Sequence, residues 1–134
     1  RLYSAVHESL EWPRMALMHR ALGTLRSECR GRIATLCVTE QMLRETGATH
    51  EDTEGFVDMP RVIGGVELII FCREARGQIK VSMRSKKPPI DRLAKQFGGG
   101  GHAMAAGTVM EPPIEQALTT VLSAAKKLLK CSKK

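Results

Sequence analysis

A run of glycines that ends in a histidine is the part of this sequence best suited to chemistry. Four glycines at positions 98–101 lead directly into His102, and small residues continue as far as Gly107. Glycine loses more backbone freedom on folding than any other residue, so such a run is costly unless side chains must be absent for a close approach. Main-chain N–H groups beside an imidazole suit an anion, most simply a phosphate. The alternatives are a flexible loop and a loop that only packs tightly.

A polar strand ahead of the glycines adds a guanidinium and hydroxyl groups. Alternation over residues 78–84 places apolar side chains on one face and Lys80, Ser82 and Arg84 on the other. Arg84 can bind a phosphate through two parallel N–H bonds, which a lysine cannot do. With Ser85, which comes next, the sequence predicts a guanidinium and two hydroxyls on one sheet surface. A strand that merely faces solvent is the alternative.

Charge is distributed unevenly within a formal net charge of +7. Residues 76–95 contain seven basic side chains and one acidic side chain, and this segment leads into the glycines. We therefore expect positive potential to coincide with the backbone donors. Residues 40–58 contain six acidic side chains and, apart from His50, no imidazole that could share a metal ion with them. This acidic segment is predicted to be a solvated helical face.

Composition limits the classes of protein to consider. The 134 residues suit one domain with a core of its own, and aromatic residues make up only 4% of them. Extensive stacking of nucleic-acid bases is therefore not expected. The four cysteines show no close pairing and no zinc-type spacing, and Cys37 and Cys72 lie in apolar runs, as buried free thiols would. Together with the lack of a signal peptide or a bilayer-spanning run, this predicts a cytoplasmic protein without a membrane partner.

Periodicity and capping signals predict the elements that carry these residues. Helices are predicted at residues 3–10, 13–25, 40–46, within 50–62, after the prolines at 88–89 and after the prolines at 112–113. Strands are predicted at residues 32–38, 66–73, 78–84 and 107–110, the middle two joined as a hairpin. The order predicts a single compact α/β domain, with a mixed sheet of about four or five strands flanked by helices and an N-terminal helical lead-in.

Two stretches together resemble a known family. They are residues 80–85, Lys-Val-Ser-Met-Arg-Ser, and residues 97–107, Phe-Gly-Gly-Gly-Gly-His-Ala-Met-Ala-Ala-Gly. This combination resembles the C-terminal DHH-associated domain of DHH phosphoesterases, which include RecJ-like exonucleases, oligoribonucleases, phosphoadenosine-phosphate phosphatases and cyclic-dinucleotide phosphodiesterases. The segment at 45–67 is most similar to the oligoribonuclease branch. The resemblance covers residues 31–134, and residues 1–30 are expected to be a helical linker from an upstream catalytic domain.

The resemblance also implies roles for individual residues. Those to which it assigns substrate or phosphate binding are Gly99, Gly100, Gly101, His102, Arg84, Ser82 and Ser85. Within that set the glycine loop would hold the phosphate or nucleotide, and Arg84 would bind the phosphate backbone with hydroxyls assisting. His102 could in addition protonate a leaving oxygen in a complete enzyme.

Catalysis, by the same resemblance, belongs to the other domain. The family's manganese ions and attacking water belong to a domain with an Asp-His-His motif, and two such ions clamp the attacking and leaving oxygens. The histidines here are never adjacent, so this stretch has no such motif. We therefore expect a substrate-binding domain for short RNA, phosphoadenosine phosphate or a linear dinucleotide. It should bind no metal ion and hydrolyse nothing by itself.

Two other functions stay open at this level. A related domain ends alanyl-tRNA synthetases, so the chain could be a stand-alone nucleic-acid-binding module without catalysis. The glycine loop could instead serve structure or dimerisation within a homodimer. In that case Gly101→Ala would harm folding more than ligand binding.

Overall fold

A six-stranded mixed sheet lies at the centre of the structure, a computed structural model that describes residues 11–131. Its strands are β1 (Arg26–Glu28), β2 (Ile33–Val38), β3 (Leu68–Ala75), β4 (Gln78–Ser85), β5 (Gly100–Gly101) and β6 (Ala105–Met110). Their order across the sheet is β1-β2-β3-β4-β6-β5. The strands β2 and β3 pair in parallel, and the other four pairings are antiparallel.

Helices flank this sheet and connect its strands. They are α1 (Trp12–Leu22), α2 (Glu40–Thr46), α3 (Asp91–Lys95) and α4 (Ile114–Leu128), with 3₁₀ helices at His50–Thr53 and Phe56–Val62. The Thr39 hydroxyl caps the start of α2, and Gly47 ends it in the left-handed region at φ 77°. A capping box opens the first 3₁₀ helix, and Gly55 at φ 86° precedes the second. The helix predicted within 50–62 is therefore two short 3₁₀ helices.

Two hydrophobic cores lie on opposite faces of the sheet. On one face Ile70 of β3 packs in a core with Val121 of α4, and on the other Phe71 packs in a core with Leu17 of α1. All four side chains are at most 3% exposed. Neighbouring residues of a strand point to opposite faces, so β3 contributes to both cores. This double burial explains why residues 68–72 are uniformly apolar.

The predicted fold class is confirmed, and so are the hairpin between β3 and β4 and the long C-terminal helix. The sheet has two more short strands than the four that the sequence indicated. The first, β1, is the polar tripeptide Arg-Ser-Glu, and β5 is two glycines, so neither carries a strand signal. The helix predicted at residues 3–10 lies outside the described residues. Among the residues described, no helix is both long and apolar enough to cross a membrane.

The cysteines differ from the prediction. A disulfide joins Cys29, just after β1, to Cys131, just after α4, with Cα atoms 5.6 Å apart. Because 102 positions separate these two residues, only the folded sheet reveals that they meet. Cys37 and Cys72 are free, as predicted, and lie opposite each other on β2 and β3. A hydrogen bond from the Cys72 thiol lowers the pKa of Cys37, and the same bond together with burial raises the pKa of Cys72.

Candidate functional site

Among the described residues, no hydrophobic core lies on one face of the sheet where β4, β6 and β5 lie side by side. The core under α1 draws on β2 and β3, and within residues 11–131 it includes no side chain of β4, β5 or β6. Ser82 and Arg84 occupy this open half and are partly exposed. Met83, which lies between them, points to the opposite core, as the alternation predicted. The open half is therefore where a ligand could reach the predicted residues.

Main chain without side chains forms the floor beside Ser82. Ser82 pairs with Gly107 on β6, and Gly107 pairs with Gly100 on β5. Residues directly opposite each other in an antiparallel sheet share a face, so two successive neighbours of Ser82 present no side chain. A Cβ atom placed on Gly100 would meet no heavy atom within 4 Å. We call this row of Ser82, Gly107 and Gly100 the glycine floor.

The other two glycines of the predicted loop are required by packing. A Cβ atom on Gly99 would lie 2.1 Å from the Gly107 carbonyl oxygen and 2.6 Å from Cβ of Thr108. On Gly101 it would lie 2.6 Å from the Ala105 carbonyl oxygen, at a φ of 141° that other residues rarely adopt. These two positions let β5 lie against β6, whereas Gly100 leaves space open to solvent.

Most amide donors of the loop are used within the chain. The N–H groups of Gly98 and Gly99 donate to carbonyl oxygens of α3, and that of His102 donates to Ala105. Hydrogen-bonded pairs alternate along an antiparallel ladder, so the Gly101 N–H points to the outer edge of the sheet. The expected cradle of several amides is therefore reduced to this one edge donor among the glycines. Anion binding at this face would depend mainly on side chains.

His102 lies in the same cross-strand row as Arg84. Arg84 pairs with Ala105, and the His102 N–H donates to the Ala105 carbonyl oxygen at 2.8 Å. Two strand spacings, about 10 Å, separate the two backbones. His102 is exposed and Arg84 is partly exposed. The backbone thus places an imidazole and a guanidinium along one side of the glycine floor.

The Arg84 side chain is held in place without using all its donors. Its Nη1 donates to the Met83 carbonyl oxygen at 3.0 Å, and its Nε lies 3.6 Å from Oδ1 of Asp58. The side chain is 29% exposed. A guanidinium has five N–H donors, so these contacts leave several for a ligand. Asp58 lies in the second 3₁₀ helix and also pairs with Arg61 at 3.8 Å.

Ser85 does not share this surface, which corrects the prediction of two hydroxyls beside Arg84. Strand alternation turns it to the opposite face, where it is 3% exposed and pairs with Leu68. Its Oγ donates to the Pro88 carbonyl oxygen and accepts the Lys87 N–H at 3.2 Å. In this position Ser85 shapes the turn that leads into α3.

A cavity of about 410 Å³ opens on the same side of the sheet, against the first 3₁₀ helix. Ser82 and Arg84 line it together with Arg73 and His50, which the sequence analysis did not select. Arg73 had a weak signal, since it ends the apolar run of β3 on the same face as Phe71. His50 was passed over because its neighbours are acidic. Only the fold brings residues 50, 73, 82 and 84 together.

The acidic segment is only in part the solvated helical face that the sequence predicted: four of its six acidic side chains are exposed, but the segment also contacts the basic strands. His50 lies 3.4 Å from Glu40 through Nε2 and 3.4 Å from Arg73 Nη1 through Nδ1. Asp58, in the second 3₁₀ helix, pairs with Arg84 of β4. The segment therefore lies against the basic strands and sets the environment of their arginines.

The placement of carboxylate, imidazole and thiol groups decides whether this face could hold a metal ion. Within residues 11–131, no three His, Cys, Asp or Glu side chains are grouped so that they could hold a metal ion. Of the carboxylates near the arginines, Glu40 contacts the His50 imidazole and Asp58 contacts the Arg84 guanidinium. Residues 11–131 thus bring cationic side chains together at this face without a cluster of metal ligands beside them.

Comparison with known proteins places this site in a family. The family model for the DHHA1 domain matches residues 31–130. The bifunctional oligoribonuclease and PAP phosphatase NrnA of Thermus thermophilus is 32% identical over 112 residues, which are 82% of this chain and 34% of that protein. NrnA of Bacillus subtilis is 34% identical over 74 residues, which are 55% of this chain and 24% of that protein. The chain thus spans between about a quarter and a third of the length of these relatives.

Solved structures agree with this assignment. An exopolyphosphatase-related protein of Bacteroides fragilis superposes with a TM-score of 0.84 at 31% identity, over 93% of this chain and 37% of that one. The C-Ala domain of alanyl-tRNA synthetase from Aquifex aeolicus shares the fold, with a TM-score of 0.53 at 16% identity over 72% of this chain and 89% of that domain. The resemblance carried by residues 80–85 and 97–107 is therefore confirmed: the chain belongs to the DHHA1 domain family, the DHH-associated domain of DHH phosphoesterases.

Proposed function

We propose that this chain is the substrate-binding domain of a DHH-type phosphoesterase. It holds a phosphate of a nucleotide or short RNA for hydrolysis by metal ions on a separate Asp-His-His domain. The observation that carries the proposal is the uncovered glycine floor, with Arg84 and His102 along one side of it. We further propose that the chain up to residue 30 leads in from the catalytic domain, with α1 and β1 packed on the binding domain that residues 31–134 form. The relatives that are named oligoribonuclease and PAP phosphatase support a nucleotide ligand.

Each residue has a separate task in this proposal. Arg84 donates N–H groups to phosphate oxygens, in competition with its ion pair to Asp58. The Ser82 hydroxyl adds a neutral donor, and the bare floor lets the sugar-phosphate chain lie close to the sheet. His102 contacts the nucleotide from β5. Holding the substrate in this way lowers the barrier of a reaction by at most about 7–11 kcal/mol in favourable systems.

Titration calorimetry with phosphoadenosine phosphate and with a 5′-phosphorylated diadenylate tests the proposal. Arg84→Gln should weaken binding of both ligands at least about tenfold, because hydrogen bonds to charged groups contribute about 1.5–3 kcal/mol. His102→Gln should weaken both ligands less strongly. Lys127→Gln removes one exposed charge from α4, behind the opposite face, and serves as the matched control. If Arg84→Gln and His102→Gln both bind like the control, the proposed site is wrong.

A second candidate is a nucleic-acid-binding module without a catalytic partner. The formal net charge of +7 favours it, because basic side chains also lie on α4, away from the glycine floor. Such a module would bind long single-stranded RNA far more tightly than a dinucleotide. Each neutralised phosphate would then add about −0.7 to the slope of log affinity against log salt concentration. Equal affinity for the dinucleotide and for a long RNA would exclude this candidate.

A further inference from the structure

We propose that Arg73 forms a second anion subsite, positioned by His50 and Glu40, for the next phosphate of a linear nucleotide chain whose first phosphate lies at Arg84. This inference rests on the proposed function of Arg84. It goes beyond that function because it adds residues outside both motifs and specifies that the ligand carries at least two phosphates in line.

The two arginines line the same cavity, at strand positions well separated along β3 and β4. Arg73 lies two residues from Phe71, and Phe71 pairs with Ser82, which lies two residues from Arg84. All four therefore share one face of the sheet, and all four line the cavity of about 410 Å³. Ser82 and the buried Phe71 ring form the stretch between the guanidinium groups. A cavity lined by two cations, with a serine and a phenylalanine between their strand positions, suits an elongated ligand with separated negative charges.

The separation of the two arginines along the strands suits two phosphates better than one. Arg73 pairs with Lys80, which lies four residues from Arg84 along β4. At about 3.4 Å a residue, the two backbones are about 14 Å apart along the strands. The Arg73 guanidinium contacts His50 in the first 3₁₀ helix, and the Arg84 guanidinium contacts Asp58 in the second, so we infer that each binds a phosphate of its own. A chain of two or three nucleotides spans this separation.

Arg73 is better placed to bind an added anion than the other arginines of the sheet face. Its Nη1 lies 3.4 Å from Nδ1 of His50, and among residues 11–131 no carboxylate oxygen pairs with it within 4.0 Å. Arg84, by contrast, already has Asp58. Burying part of a guanidinium without a counter-charge is costly, so an anionic ligand would supply the missing charge.

His50 and Glu40 orient this guanidinium. The His50 Nε2 lies 3.4 Å from Oε2 of Glu40. When Nε2–H donates to that carboxylate, Nδ1 is left as an acceptor for the Arg73 N–H. Glu40 is itself anchored, because its backbone N–H donates to Oε1 of Glu74 at 2.7 Å. The contacts from Glu40 through His50 therefore hold Arg73 by one guanidinium N–H and leave its other N–H groups for a ligand.

Two exposed carboxylates at the cavity rim act against anion binding. Glu51 and Glu54 line the cavity, and both are exposed. Their repulsion would weaken any anion that enters without a cation to meet it. We therefore expect Glu54→Gln to strengthen binding of a doubly phosphorylated ligand by about two- to fivefold, as surface charge pairs contribute about 0.2–1 kcal/mol.

The test compares AMP, which has one phosphate, with 5′-phosphorylated diadenylate, which has two, by titration calorimetry of the chain at fixed ionic strength. Arg73→Gln should weaken the diadenylate about tenfold and AMP less than twofold. Arg84→Gln should weaken both ligands. Lys127→Gln is the matched control, since Lys127 is an exposed cation on α4, which packs against the opposite face of the sheet. In Arg73→Gln the salt slope for the diadenylate should also become shallower by about 0.7.

The outcomes separate this inference from the proposed function. If Arg73→Gln matches the control while Arg84→Gln weakens both ligands, the second subsite is wrong and the first stands. If Arg73→Gln weakens AMP as much as the diadenylate, Arg73 belongs to the first phosphate site and the second subsite is again wrong. If Arg84→Gln has no effect, or the parent binds neither ligand, both proposals fail.

A further pair of variants tests the positioning role of His50. His50→Ala should weaken the diadenylate several-fold without changing AMP binding, because Arg73 loses its orienting acceptor. His50→Gln keeps a carbonyl acceptor and an amide donor at this position, so it should restore most of the lost affinity. Diadenylate binding by His50→Ala that equals the parent would show that His50 does not position Arg73.

Discussion

Alanine substitutions at two adjacent glycines should separate packing from binding in the loop. In Gly99→Ala the added Cβ would lie 2.1 Å from the Gly107 carbonyl oxygen and 2.6 Å from Cβ of Thr108. Both atoms belong to β6, so β5 and β6 would have to move apart. Overpacking of this kind costs about 1–3 kcal/mol. The hydrogen bond from Thr108 Oγ1 to the Phe97 carbonyl oxygen, at 2.8 Å, would weaken as well and add about 1 kcal/mol.

Gly100→Ala should have the opposite pattern of effects. Its added Cβ would meet no heavy atom within 4 Å, and the residue has no positive φ, so the stability should stay within about 1 kcal/mol of the parent. The same methyl group would stand on the glycine floor, where the ligand is proposed to lie. We therefore expect binding of 5′-phosphorylated diadenylate to weaken several-fold although the fold is intact.

Urea unfolding and titration calorimetry measure these two effects on the same preparations. The expected free energy of unfolding falls by about 2–4 kcal/mol in Gly99→Ala and hardly changes in Gly100→Ala. Equal stability of the two variants would refute the packing argument. Parent-like affinity in Gly100→Ala would refute the assignment of the floor as the ligand surface.

Two further predictions follow from the same structure. Native Cys37 should react with iodoacetamide at least about tenfold faster than Cys72, because the hydrogen bond from Cys72 lowers the pKa of Cys37 while burial protects Cys72. Mass spectrometry of the labelled peptides would measure the two rates. Equal rates would contradict the prediction. Asp58→Asn should strengthen phosphate binding about two- to fivefold, because it releases Arg84 from its ion pair. Substitution of the exposed Glu111 by Gln is the control. If calorimetry shows no gain over this control, the ion pair does not compete with the ligand.

The polar face of the central hairpin could be predicted from the sequence because its signal is local. Alternation over β4 placed Ser82 and Arg84 together, and the Thr39 cap and Gly47 bounded α2 as expected. Such features depend on neighbours within a few residues, where periodicity and capping are informative. The glycine run and His102 stand out by their residue types, and the family resemblance assigns them to the same predicted site.

The remaining parts of the site depend on contacts between distant residues. Arg73 and His50 are 23 positions apart, and only the packing of the first 3₁₀ helix on β3 brings them together. The Cys29–Cys131 disulfide spans nearly the whole chain in the same way. Ser85 lies on the other face because the alternation of β4 continues one residue beyond Arg84. The roles of Gly99 and Gly101 depend on distances to β6 that no sequence pattern contains.

The central claim is that a nucleotide phosphate lies on the glycine floor beside Arg84. An NMR titration of the ¹⁵N-labelled chain with 5′-phosphorylated diadenylate tests it most directly, since it reports every amide and the Arg84 Nε–H at once. We expect the shifts to concentrate at Arg84, Gly100, Gly107 and His102 and to saturate together. Shifts confined to α4, or no shifts at saturating ligand, would contradict the claim.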